Sequence, residues 1–170
     1  MSHLTDREQL LLDLMRQLSE DDQQLALAAV ERYVAHPEHG GPLTWMLGVQ
    51  YTEVRGGFAR CHVEIDRGHH NPGGIAHGAV AYALIDSAMG AAFYYALERP
   101  LGCATLELKI NYVRPIVTGR MEATAELIER TSRFGILTGR VLDEHDQLVA
   151  LAQGTFAILR PKGEGIKTEG

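Results

Sequence analysis

The chain has 170 residues, 45% apolar and 22% charged, a balance that suits one compact globular domain and excludes a disordered or fibrous chain. A net charge of −6, a pI near 5.7 and the lack of any Lys/Arg-rich run exclude a general nucleic-acid binder. Two cysteines, Cys61 and Cys103, without CxxC spacing, and charged residues where a signal peptide needs an apolar core, give the expectation of a reducing cytoplasm.

In chain order, Leu10, Leu11, Leu14 and Leu18 follow helical spacing, and Ser19 with acidic residues behind it predicts the cap of a second helix ending near His36-Pro37. Residues 1–40 therefore read as a helical extension, one that covers a sheet edge or subunit contact or else serves only as a solubilising appendage. Trp45 to Val54 predicts an edge strand before the Gly56-Gly57 turn. Phe58 to Ile65 predicts a second, with Ala59, Cys61, Val63 and Ile65 alternating against Arg60, His62 and Glu64. The apolar run from Ile75 to Leu97 is long enough to raise a membrane span, but His77, Asp86 and several glycines interrupt it. It reads better as a helix buried on nearly every side, its small residues letting other backbones approach closely. Beyond it, Leu106, Leu108, Ile110 and Tyr112 alternate against Glu107, Lys109 and Asn111, and Met121, Ala123, Ala125 and Leu127 against Arg120, Glu122 and Glu126. Two more strands are expected at Ile136 to Leu142 and Leu148 to Leu159, joined by the DEHDQ turn. Two strands, a helix and four strands define an α+β domain over residues 41–160, with the helix across one sheet face and residues 161–170 as a tail without apolar periodicity.

Asp86 is the candidate for chemistry, being the only acidic residue between Asp66 and Glu98. An ionised carboxylate in such a run is costly unless paired, hydrogen-bonded or protonated. The helix opens on NPGGIAHGA (Asn71 to Ala79), where the first backbone N–H groups lack intrahelical partners and the helix dipole is positive, which suits a carbonyl oxygen turning into an oxyanion. Gly78 is placed to present such an N–H. Asp86 lies about 12 Å further along the rise, too far to act on the same carbonyl from one copy. Antiparallel helices of a two-fold dimer would bring the Asp86 of one subunit to the Gly78 of the other, giving two equal sites.

Asn71, His77-Gly78 six residues later and Asp86 nine residues after His77 resemble the hotdog-fold acyl-CoA thioesterases of the phenylacetate-degradation (PaaI-like) type, as do TLELKINYVRP (Thr105 to Pro115) with Gly119 and LVALAQGTFAIL (Leu148 to Leu159). The resemblance covers about residues 45 to 160 and implies a hotdog fold, a curved antiparallel sheet around the long helix, assembled as a homodimer or homotetramer with sites at the subunit interface. It implies Asp86 as general base or nucleophile, the Gly78 N–H as polariser of the thioester carbonyl, Asn71 as a positioner of water or thioester, Thr105 as a hydroxyl beside the carboxylate, and His77 as a hydrogen-bonding group at the thioester end. The substrate that the resemblance implies is an acyl-CoA, aromatic or of short to medium chain, so CoA is part of the substrate, and neither cofactor nor metal is expected. Many relatives carry His-Gly-Gly where this chain has His77-Gly78-Ala79, a change expected to alter substrate fit more than chemistry.

Other readings stand beside these. His77 also fits a helix-entry residue, Asn71 a turn and cap residue, and Thr105 an ordinary β-branched strand residue. His69 and His70 diverge on an extended chain without a third metal ligand. Arg133 in the SRFG turn is a candidate for CoA phosphate or a solvated charge, and Tyr82, Phe93 and Tyr94 are candidates for the acyl pocket or for plain core. A hotdog hydratase or dehydratase using His70, and a non-catalytic acyl-CoA-binding module, are the alternative functions.

Overall fold

The structure is a computed structural model and describes residues 4–35, 40–98 and 100–161. The expected helix end at His36-Pro37 and the tail beyond Pro161 lie outside the described residues. Helix α1 (Asp6–Met15) starts at Thr5, which forms a reciprocal cap with Glu8, and helix α2 (Glu20–Val34) starts at Ser19, whose hydroxyl accepts the Asp22 N–H. Neither helix buries a residue fully, and α2 packs on α3 and on the turn after β2.

The expected strand from Trp45 begins later. Pro42 occupies the first turn of a short helix, α3 (Pro42–Met46), and the Thr44 hydroxyl takes the Gly41 N–H, so Trp45 is helical. Gly48, at φ +72°, turns the chain out of α3 and into β1 (Gln50–Arg55). Strand β2 (Phe58–Ile65), a 3-10 turn (Arg67–His69), helix α4 (Gly78–Ala96) and strands β3 (Gly102–Tyr112), β4 (Gly119–Arg130), β5 (Phe134–Asp143) and β6 (Leu148–Leu159) follow. The strands form one antiparallel sheet in the order β1-β2-β4-β5-β6-β3, wrapped on α4.

Sheet and helix fit because glycines of β5 and β6 stand where α4 sends its largest side chains. A methyl at Gly139 would lie 3.1 Å from Ile85 Cδ1, and one at Gly154 3.2 Å from Met89 Sδ. A methyl at Gly135 would overlap the ring of Phe93, which is 0% exposed. Gly135→Ala is therefore expected to destabilise the chain by about 1–3 kcal/mol, read as a lower denaturant midpoint at constant m-value. A midpoint equal to wild type would show that Phe93 has room to move.

Two sequence expectations change here. Helix α4 is not buried on nearly every side: Val80, Ala81, Leu84, Ile85, Ala88, Met89, Ala92 and Phe93 face the sheet, while Tyr82, Asp86, Ser87, Gly90 and Tyr94 form a stripe left open or half-open. Strand β3 does not keep one alternation. Thr105 pairs with Phe156 and Glu107 with Thr155, so one extra β3 residue is inserted as a bulge and Leu106 is 64% exposed. The bulge switches the parity of the strand, and Thr105 before it and Leu108 and Ile110 after it all turn toward α4. Among the described residues, no helix is long and apolar enough to cross a membrane.

Candidate active site

The entry to α4 is built from a chain of turn bonds. Asn71 Oδ1 accepts the Gly73 N–H at 2.8 Å, the Asn71 N–H reaches the Ile75 carbonyl, and the Ala76 N–H reaches the Ile116 carbonyl at 2.7 Å. His77 is the N-cap: its Nδ1 accepts the Ala79 N–H at 3.0 Å, and its carbonyl accepts from Val80. The Gly78 N–H is left with no hydrogen-bond partner among the described residues, at the positive end of a 19-residue helix. Tyr112 lies over this glycine, its hydroxyl donating to the Gly78 carbonyl at 3.0 Å, and a methyl at Gly78 would be 3.2 Å from the Tyr112 ring. Asn71, His77, Gly78 and Tyr112 line one cleft of about 350 Å³, with Arg114 at its wall.

Asp86 opens into a second cleft of about 410 Å³. The Thr105 hydroxyl donates to Asp86 Oδ1 at 2.8 Å, and Oδ2 has no partner among the described residues. Burial pushes the Asp86 carboxyl above its ordinary value of 3.8, and the Thr105 bond opposes this. Tyr51, Tyr94, Tyr95 and Phe156 supply aromatic walls, and Gly90, Ala91 and Ala104 keep the floor open. One free oxygen on a partly desolvated carboxylate, facing a cleft, is an arrangement for taking a proton from water or attacking a carbonyl carbon.

Within one chain the five residues singled out in the sequence thus fall into two groups, Asp86 with Thr105 and Asn71 with His77 and Gly78. Of the acyl-pocket candidates, Tyr94 lines the Asp86 cleft, Phe93 is core against Phe156, and Tyr82 lines neither cleft. Arg133 lines neither cleft. The rings of His69 and His70 turn to different carbonyls, Leu47 and Val117, and no group of three potential ligands that could hold a metal occurs among the described residues. Sequence reasoning missed Tyr51 and Phe156, whose strand periodicity marks them only as packing residues, and Tyr112, whose place in NYVRP was the one available signal.

The sequence and the fold agree with known proteins. The chain belongs to the thioesterase superfamily, whose profile matches residues 73–150. A Halobacterium salinarum protein provisionally named an esterase is 32% identical over 146 residues, covering 79% of this chain and 93% of its own. The 1,4-dihydroxy-2-naphthoyl-CoA hydrolase of Listeria monocytogenes is 24% identical, covering 68% of this chain and 94% of its own. Among solved structures, a variant of the phenylacetic acid degradation protein PaaI from Thermus thermophilus superposes with a TM-score of 0.65 at 31% identity, over 70% of this chain and all of its own. The fold is the hotdog, and the chain is a thioester hydrolase of that family.

Proposed function

We propose that the protein hydrolyses an aromatic acyl-CoA thioester to the free acid and CoA, at sites that each combine the Asp86 cleft of one subunit with the Asn71–Gly78 cleft of another. The observation that carries this reading is the division of the five residues between two clefts of the same chain. Neither half is sufficient alone, since the carboxylate and the unpartnered Gly78 N–H stand about two helix turns apart. The stripe of α4 that carries Asp86 is open, and next to it β3 is an edge strand with Leu106 and Tyr112 exposed, followed by the exposed Val113. Two copies joined across this face by a two-fold axis lay their α4 helices antiparallel and bring each Asp86 to the partner's α4 entry. The assembly is a homodimer, or a homotetramer made of two such dimers.

In each composite site the thioester carbonyl oxygen accepts the Gly78 N–H, with His77 and the Asn71 amide beside it. The ionised Asp86, held at Oδ1 by Thr105, uses Oδ2 to take the proton of an attacking water or attacks the carbonyl carbon itself. The C–S bond then breaks and CoA leaves as the thiolate; where Asp86 is the nucleophile this leaves an acyl–Asp86 anhydride, which a water then cleaves to the free acid and the regenerated carboxylate. A thiolate needs less protonation than an alkoxide or amine, so one carboxylate and one oxyanion donor suffice without metal or cofactor. Four aromatic rings around the Asp86 cleft support a flat acyl group, as does the aromatic thioester in the name of the Listeria relative. His70, tied to the Val117 carbonyl and outside both clefts, gives the hydratase reading no base. A CoA substrate and two cysteines outside any disulfide support a cytoplasmic location.

The test combines thiol release from aromatic and aliphatic acyl-CoA thioesters with subunit mixing. Asp86→Asn and Gly78→Pro proteins, each expected to keep about a hundredth of wild-type activity or less alone, are expected to regain about a quarter of it when refolded together in equal amounts. Random pairing makes half the dimers mixed, and each mixed dimer has one intact site of two. No recovery, with mixed dimers demonstrated, would mean that each site is built within one chain. Tight acyl-CoA binding without thiol release by wild type would favour the binding module.

A further inference from the structure

We infer that helix α2 of the N-terminal extension braces the carbonyl-polarising loop, and that Arg32 is a positioning residue for the reaction. This rests on the reading that Asn71 to Gly78 forms the carbonyl-polarising half of the site. Arg32 reaches two separate parts of the domain from α2. Its Nη1 donates to Asp66 Oδ2, and its Nε donates to the Met46 carbonyl at 3.0 Å, with the side chain only 20% exposed. Asp66 divides its work: Oδ1 accepts the Gly68 N–H at 2.8 Å and so shapes the 3-10 turn, while Oδ2 is held by Arg32. The Asp66 backbone N–H donates to Nδ1 of His69, which is 3% exposed and whose Nε2 faces the Leu47 carbonyl at 3.0 Å. The His69 carbonyl in turn accepts the His77 N–H at 2.8 Å. From Arg32 to His77, the residue immediately before the unpartnered Gly78 N–H, the relay is therefore continuous.

Burial decides which contacts of α2 matter. Arg67 and Asp21 also join α2 to the turn, but their side chains are 59% and 74% exposed, and a solvated pair of this kind holds little geometry. Arg32 is shielded and bonded at two points, so it fixes the height of the turn above α3. A loop that shifts when this anchor is lost moves the Gly78 N–H off the carbonyl oxygen without removing any group that touches substrate. Turnover then suffers more than binding.

The test is steady-state hydrolysis by Arg32→Ala, Arg32→Lys and Arg67→Ala, with kcat and KM read separately and amide hydrogen exchange followed over residues 66–79. Arg32→Ala is expected to lower kcat about tenfold with KM changed less than about twofold, and to speed exchange in that segment. Arg32→Lys recovers part of kcat, and Arg67→Ala matches wild type. If Arg32→Ala does not assemble, Arg32→Gln serves in its place, because it keeps part of the stem that covers Gly48. Full kcat in a folded Arg32 variant, or a change confined to KM, overturns the brace while leaving the hydrolytic reading intact. Absence of thioester turnover by wild type overturns both.

Discussion

Asp86→Asn is expected to lower the turnover of an aromatic acyl-CoA by about a hundredfold or more while leaving the fold and the assembly in place. The amide can still accept the Thr105 hydroxyl through its oxygen, so the local hydrogen bond survives. It can neither hold the proton of water at neutral pH nor attack a thioester. Stability is expected to move the other way. Burial raises the Asp86 pKa in the folded chain, so the folded state binds the proton more tightly than the unfolded one, and the stabilisation by the neutral form is lost as pH rises through the folded pKa. At neutral pH the wild type thus carries a partly desolvated charge that the asparagine variant lacks, and the variant is expected to melt at the same temperature or higher. The same shift sets the pH profile. In the proposed mechanism the ionised carboxylate is the active form, so the acid limb of kcat/KM is expected to lie above the ordinary 3.8 and to vanish in the residual activity of Asp86→Asn. Turnover within a few-fold of wild type would remove the carboxylate from the chemistry.

Gly78→Pro is expected to cost about a hundredfold to a thousandfold in kcat, the scale of a lost oxyanion donor. Proline suits this position as backbone: Gly78 is the first residue of α4, and the preceding His77 is extended at φ −62° and ψ 136°, as a residue before proline prefers. The substitution removes one N–H that no group among the described residues uses and leaves the His77 cap on Ala79 in place. Its ring crowds Tyr112, which at 54% exposure has room to move in the isolated chain. Gly78→Ala is the control: it keeps the N–H and adds the Tyr112 contact, so it separates steric disturbance from loss of the donor. Equal losses in Ala and Pro variants would assign the effect to Tyr112 and not to the N–H.

The order of elements was legible in the sequence because hydrophobic period is a local property. Alternation marked β2, β4 and the later part of β3, the DEHDQ turn marked β5 and β6, the apolar run marked α4, and Ser19 marked the start of α2. The start of the first strand was not, since Trp45 and Leu47 carry the β propensity and apolarity of a strand, while Pro42 and Gly48 decide the backbone there. Asp86 and Gly78 stood out from chemistry alone, as a lone acid in an apolar run and a glycine at a helix entry.

Sequence by itself therefore singled out Asp86 and Gly78 as candidates and determined how far apart one helix holds them, because helix rise is fixed by the backbone. It did not determine which side of β3 Thr105 faces. Plain alternation groups Thr105 with Glu107, Lys109 and Asn111, turned away from the face that carries Leu108 and Ile110. Only the bulge at Leu106, set by pairing with β6, brings its hydroxyl to Asp86. The open stripe on α4 was likewise decided by the tertiary structure: a helix apolar all round reads the same whether the sheet encloses it or leaves one side bare. The sheet ends at β3, and the side it leaves bare is the one that carries the carboxylate.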